Sequence, residues 1–167
     1  VLDADALSVL APDPDALRGT PDRPVVITPH PGEMARLLGA RAAQIQRDRL
    51  GAARSFATGH HLYVVLKGSR TLIASPDGTV YINPTGNPGM ATGGSGDVLT
   101  GMIAGWLAQG LGVTAACLLA VYLHGAAGDL AAADLGEVSM TAGDIVSEIG
   151  EAVLELTARP RAARDAP

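Results

Sequence analysis

The chain has 167 residues and a net charge of −5, and 47% of it is hydrophobic although only 3% is aromatic. That length supports one domain with a core of Ala, Val, Leu and Ile, and the charge argues against a nucleic-acid surface. The single cysteine, Cys117, lies in an apolar run and reads as core, so no disulfide framework forms within the chain.

The N-terminus, VLDADALSVL, has no basic region and does not read as a signal peptide. Val1, Leu2 and Asp3 resemble the end of a strand, and residues 4–10 a short helix stopped by Pro12. A chain that opens inside a strand is expected to have something ahead of it. Residues 12–24 form a polar, Pro-rich connection. Residues 25–28, VVIT, predict a short buried strand that runs into Thr28-Pro29-His30-Pro31-Gly32-Glu33. A helix through Met34, Leu37 and Leu38 follows and stops at Gly39. His30 and Glu33 thus lie at the C-terminal edge of a strand, where open α/β sheets place ligands. They read either as ligand-facing groups or as a turn His and a helix N-terminal Glu serving the dipole.

Residues 42–58 predict one helix with its charges on a solvated face. Gly59, His60 and His61 end it; adjacent histidines point different ways, and nothing nearby completes a metal site. Residues 62–66, LYVVL, predict a buried strand. Lys67, Gly68, Ser69, Arg70 and Thr71 cap it, and Lys67 is either a phosphate ligand or a solvated strand end. Residues 71–74 and 79–82 predict a hairpin across Pro76-Asp77-Gly78.

Residues 83–107, NPTGNPGMATGGSGDVLTGMIAGWL, organise the chain. Apolar residues at 98, 99, 102, 103, 106 and 107 lie on one helix face, so Gly93, Gly94, Ser95 and Gly96 sit where a helix begins. A helix start offers free N–H groups and a positive dipole end, and glycine lets that backbone approach an anion. Asp97 stands in the first turn. The stretch reads as an anion cradle with a carboxylate at its rim, or as a flexible loop with an N-cap. It matches neither the Walker A loop nor the dinucleotide fingerprint. Gly101 and Gly105 read as packing positions. Residues 114–135 predict a long, buried, Ala-rich helix carrying His124 and Asp129, which either pair, line a pocket, or are hydrogen-bonded in the core. Its most apolar run, residues 115–123, is too short to span a bilayer. Thr141 through Asp144 resembles a capping box opening the last helix, residues 144–156. Residues 159–167 read as a disordered tail. Strands alternating with helices predict an α/β layered fold, with a hint of a mixed sheet from the hairpin. A soluble, cytoplasmic protein without membrane or nucleic-acid partners is expected.

Taken together, VLDADAL at the start, TPHPGE at residues 28–33, VLKG at 65–68 with Thr71, NPTGN at 83–87 running into TGGSGDVL at 92–99, and YLHG at 122–125 with Gly128-Asp129 match one family in order and spacing. The chain resembles the ADP-dependent NAD(P)H-hydrate dehydratases, up to about Thr157. The resemblance implies a layered ribokinase-like fold with a central, mostly parallel sheet flanked by helices. It also implies that residues 1–158 are the C-terminal part of a longer domain whose N-terminal part is missing. The implied reaction is the nucleotide-driven dehydration of NADHX or NADPHX, the hydrates of NADH and NADPH, with ADP (or ATP) as co-substrate and release of AMP and phosphate. It places nucleotide contacts on Lys67, Gly68, Ser69, Arg70, Thr71 and Gly96, and contacts to the hydrated ring on His30 and Asp97. Asp97 is the implied base, Gly94, Ser95 and Gly96 the anion hole, and Glu33 an organiser of water around Mg²⁺ carried by the nucleotide rather than by a protein cage. It further implies a homo-oligomer and a fused or separate epimerase. The competing readings are a ribokinase-like small-molecule kinase and a non-catalytic nucleotide-binding remnant.

Overall fold

The computed structural model describes residues 1–158; the tail expected at 159–167 lies outside the described residues. Four strands form one mixed sheet in the order β1-β2-β3-β4: β1 (Val26–Ile27), β2 (Tyr63–Leu66), β3 (Leu72–Ala74) and β4 (Val80–Ile82). β1 and β2 run parallel, while β2–β3 and β3–β4 are antiparallel. The expectation of a mostly parallel sheet is therefore corrected. The cause is connection length. Three helices separate β1 from β2, which permits a parallel crossover, whereas the five-residue links at 67–71 and 75–79 can only turn the chain back. Leu2 extends the sheet past β1 through a single parallel bridge to Ile27, with Leu2 N–H donating to Val26 O at 2.8 Å.

Alternation along the strands sorts the core into layers. Val64, Leu66, Leu72 and Ala74 face one way, onto Leu7 of α1 (Asp5–Leu10), Met34 of α2 (Pro31–Leu37), Ile45 of α3 (Ala42–Arg47) and Phe56 of α4 (Arg49–His60). Val26, Val65 and Ile73 face the other way, onto Leu99 and Ile103 of α5 (Ser95–Ala108) and Cys117, Ala120 and Val121 of α6 (Val113–Leu135). The product is a three-layer α/β/α arrangement. α7 (Ala142–Ala158) then packs on α6 through Ile145 and Ala152.

Three local departures from expectation have physical causes. The helix expected over 42–58 is broken at Asp48 (φ −143°, ψ 70°), whose side chain accepts a hydrogen bond from Gly51 N–H at 2.8 Å and caps α4. A short carboxylate competes with helix propagation in this way. The polar connection carries a 3₁₀ turn, Pro14–Leu17, because Leu17 anchors it in the core. α6 is longer than its apolar run and matches a membrane span in length and composition, yet 56% of its most apolar window is buried inside the fold, between α5 and α7. Burial also pushes the Cys117 thiol up to about 12, so it stays protonated as a packing group.

Candidate functional site

Three chain segments converge at the C-terminal edge of β1 and β2. Thr28, Pro29 and His30 leave β1; residues 67–71 leave β2; and α5 begins beside both. Thr28 is fully buried and donates its N–H to Leu2 O (3.1 Å), and its hydroxyl lies 3.2 Å from that of Thr100 on α5. Thr100 in turn donates to Asp3 Oδ2 at 3.0 Å. Asp3 Oδ1 accepts from Lys67 Nζ at 2.7 Å, and Glu33 Oε2 stands 3.8 Å from the same ammonium. Both carboxylates are 8% exposed, so the pairing is made away from bulk water.

His30 caps α2. Its Nδ1 accepts from Gly32 N–H (2.9 Å) and Glu33 N–H (3.2 Å), while Glu33 Oε2 accepts from His30 N–H at 2.7 Å. This is a capping box with histidine in the hydroxyl's place. With Nδ1 accepting, the ring proton sits on Nε2, which lies 3.4 Å from Glu33 Oε1.

The glycine loop meets this cluster at one point. A Cβ built on Gly96 would stand 3.1 Å from Lys67 Nζ and 3.6 Å from Asp3 Oδ2. Gly94 is the N-cap of α5 in the left-handed region (φ 88°), a conformation that favours glycine. The N–H groups of Gly94, Gly96 and Asp97 meet no acceptor among the described residues, whereas that of Ser95 reaches Thr92 O at 3.4 Å. Ser95 is buried, with its hydroxyl 3.4 Å from His124 Nε2. Burial pulls His124 down to about 4, so the ring is neutral at neutral pH. Asp97 is exposed in the first turn.

His124 and Asp129 do not pair. Asp129 accepts from Gly86 N–H (2.9 Å) and Asn87 Nδ2 (3.0 Å) and ties the approach to the glycine loop onto α6. Thr85 donates to Tyr122 O at 2.9 Å. The segment lies tight against Gly125 and Gly128, where any side chain would overlap Thr85 or Met90.

Of the residues singled out in the sequence, the fold brings together His30, Glu33, Lys67 and Gly96. Gly68, Ser69, Arg70 and Thr71 follow Lys67 on the same turn, in which Thr71 donates to Gly68 O at 3.0 Å. Asp3 and Thr28 stood only within the motifs that carry the resemblance, without a role, and Thr100 was not singled out; Asp and Thr are too common in strand ends and helices to signal alone. Arg49 was assigned to a solvated face, and the structure corrects this: it is half-buried and donates to Ser69 O (2.6 Å), Leu66 O (3.1 Å) and Lys67 O (3.3 Å). Desolvation holds its pKa below the ordinary value. Two clefts, of about 250 and 620 Å³, lie elsewhere and include none of Lys67, Gly96 or Asp97. The converging donors and carboxylates, not the clefts, mark the candidate site.

A family model described as NAD(P)H-hydrate dehydratase matches residues 1–151. The chain is 60% identical over 146 residues to the bifunctional NAD(P)H-hydrate repair enzyme Nnr of Moorella thermoacetica, covering 87% of the chain and 27% of that protein. It is 46% identical over 155 residues to the ADP-dependent (S)-NAD(P)H-hydrate dehydratase of Neisseria meningitidis, covering 91% of the chain and 51% of that protein. The fold superposes with a TM-score of 0.82, at 39% identity, on the ADP/ATP-dependent NAD(P)H-hydrate dehydratase of Bacillus subtilis co-crystallised with ATP/Mg²⁺, covering 92% of the chain and 53% of that structure. The chain therefore spans about half the length of the single-function relatives and about a quarter of the bifunctional one.

Proposed function

This chain belongs to the NAD(P)H-hydrate dehydratase family, and on that footing we propose that it carries the nucleotide-binding and proton-transfer half of an ADP-dependent NAD(P)H-hydrate dehydratase. The observation that carries the reading is the meeting of Lys67 with Gly96. It sets the turn after β2 against a helix start whose N–H groups at Gly94, Gly96 and Asp97 are free.

In the reaction, the hydroxyl of the hydrated nicotinamide ring attacks the terminal phosphorus of ADP. Asp97 takes the hydroxyl proton as the new O–P bond forms, and the bond to AMP breaks. The free N–H groups at the start of α5 hold the charge that develops on the transferring group, aided by the helix dipole. The ring C–O bond then breaks with its electron pair on the departing phosphate, and a proton lost from the adjacent ring carbon to water restores the double bond of NAD(P)H. Lys67, Gly68, Ser69, Arg70, Thr71 and Gly96 hold the nucleotide, and His30, with Asp97, contacts the hydrated ring. With Nδ1 taken by Gly32 and Glu33 N–H, Nε2 is the His30 nitrogen that would donate to that ring.

No group of three His, Cys, Asp or Glu among the described residues is placed to hold a metal ion. Mg²⁺ would be ligated mainly by the nucleotide phosphates, with Glu33, beside Lys67, ordering water around it. When bound, Mg²⁺ neutralises phosphate charge. The partner activity proposed is the fused or separate epimerase that the resemblance implies, and a relative named as a bifunctional repair enzyme is in keeping with it.

The test is recovery of NADH absorbance from hydrated NADH with Mg²⁺ and either ADP or ATP. Recovery with ADP, and AMP as product, is the expected outcome. Accumulation of a stable phosphorylated product would make the protein a kinase. Nucleotide binding without either product would make it a binding remnant.

A further inference from the structure

Among the described residues, Arg49 is the one half-buried arginine, it gives its hydrogen bonds to the end of β2 and the turn after it, and nothing in the proposed chemistry uses it. Its Nη1 donates to Ser69 O at 2.6 Å, and its Nη2 to Leu66 O at 3.1 Å and Lys67 O at 3.3 Å. Its Nε is buried without a partner, so all its hydrogen bonds go to this turn. Among the described residues no carboxylate lies within salt-bridge distance of it.

Two consequences follow. In a trans peptide the carbonyl and the next N–H point opposite ways, and the chain has no cis bonds among the described residues. Drawing Lys67 O and Ser69 O onto the guanidinium therefore turns Gly68 N–H and Arg70 N–H away from it. Neither N–H meets an acceptor among the described residues. Gly68 (φ 138°) and Arg70 (φ 53°) adopt left-handed conformations to make this turn, and a Cβ on Gly68 would stand 3.1 Å from Arg49 Nη2. Secondly, the carbonyls take up Nη1 and Nη2 but bring no negative charge to the guanidinium. The Lys67 ammonium is already compensated by Asp3 and Glu33. The two carboxylates outnumber that ammonium by one charge, and the Arg49 guanidinium behind the turn offsets the difference.

We infer that Arg49 is a positioning residue that shapes residues 67–70 into a pair of outward N–H donors over a guanidinium that brings no carboxylate with it, a mould for the anionic part of the nucleoside diphosphate. The inference rests on the proposed nucleotide reading of this turn. A lysine cannot replace it, because one ammonium cannot span three carbonyls set by a planar fork.

The experiment measures ADP affinity by calorimetry and steady-state kinetics for the wild-type chain, Arg49→Lys and Arg49→Ala, with melting temperature recorded for each. The Lys variant keeps the charge and most of the stem, so it serves if the Ala variant does not fold. The expected result is a loss of ADP affinity of at least about tenfold in Arg49→Lys, carried in the KM for ADP, with kcat and the KM for the hydrate within about threefold. Methylguanidinium added to Arg49→Ala should restore part of the ADP affinity. Unchanged ADP affinity in Arg49→Lys, or an equal fall of kcat with no change in KM, overturns the inference and leaves the nucleotide reading standing. A wild-type chain that binds no ADP overturns the nucleotide reading itself.

Discussion

Lys67 Nζ stands 2.7 Å from Asp3 Oδ1 and joins residues 64 positions apart at the edge of the sheet. Removing the ammonium leaves two buried carboxylates facing each other across its place. Lys67→Met should therefore lower stability by about 3 kcal/mol. A double-mutant cycle with Asp3→Asn in urea should return a coupling of at least about 1 kcal/mol. Additive single and double variants would show that the pair contributes nothing. Lys67→Ala should also weaken nucleotide binding, read by calorimetry.

Asp97 has no hydrogen-bond partner among the described residues, so its change should spare the fold. Asp97→Asn should lower turnover by about 10²–10⁴-fold, the usual range for a lost general base. ADP affinity should stay within about threefold, because the free N–H groups of α5 remain. Loss of nucleotide binding in this variant would make its role structural.

His124 sets a pH limit on the fold. Its folded pKa of about 4 lies below the ordinary value of 6.5. The unfolded chain thus binds the proton first as pH falls, and stability is lost on acidification from about 6.5 down through 4. The loss from this ring reaches about 3 kcal/mol at pH 4. His124→Gln should flatten that part of the profile, measured as urea stability against pH in both proteins. Parallel profiles would mean that the ring is solvated in solution.

The two α6 glycines should differ in tolerance. A Cβ on Gly125 would press on the Thr85 backbone carbonyl carbon at 2.8 Å, which cannot swing aside. On Gly128 the nearest atoms it would meet belong to the Met90 side chain, which can change rotamer. Gly125→Ala should cost about 2–3 kcal/mol and Gly128→Ala about 1 kcal/mol. Thermal melts of the two variants check the order; equal costs would show that Thr85 yields as easily as Met90.

Much of the local architecture was legible in the residues. VVIT and LYVVL marked β1 and β2, Pro76-Asp77-Gly78 marked the β3–β4 turn, and the glycines marked the start of α5. These signals lie within a few residues of the structure they specify, so propensity and turn chemistry carry them. The break at Asp48 was not legible, because the same Asp is tolerated inside a helix unless its carboxylate turns back to cap the next one.

The sequence by itself located most of the strands and helices, and placed Asp97 at a helix start with free N–H groups, because those properties depend on neighbours along the chain. It also carried the family's motifs in order. Only the tertiary structure decided that Lys67 is compensated by Asp3 and Glu33, that Arg49 serves the turn after β2 rather than the solvent, and that His124 answers Ser95 rather than Asp129. Those choices depend on which groups lose water together. Burial of a charge or an imidazole is settled by the packing of elements far apart in sequence, and no residue pattern records it.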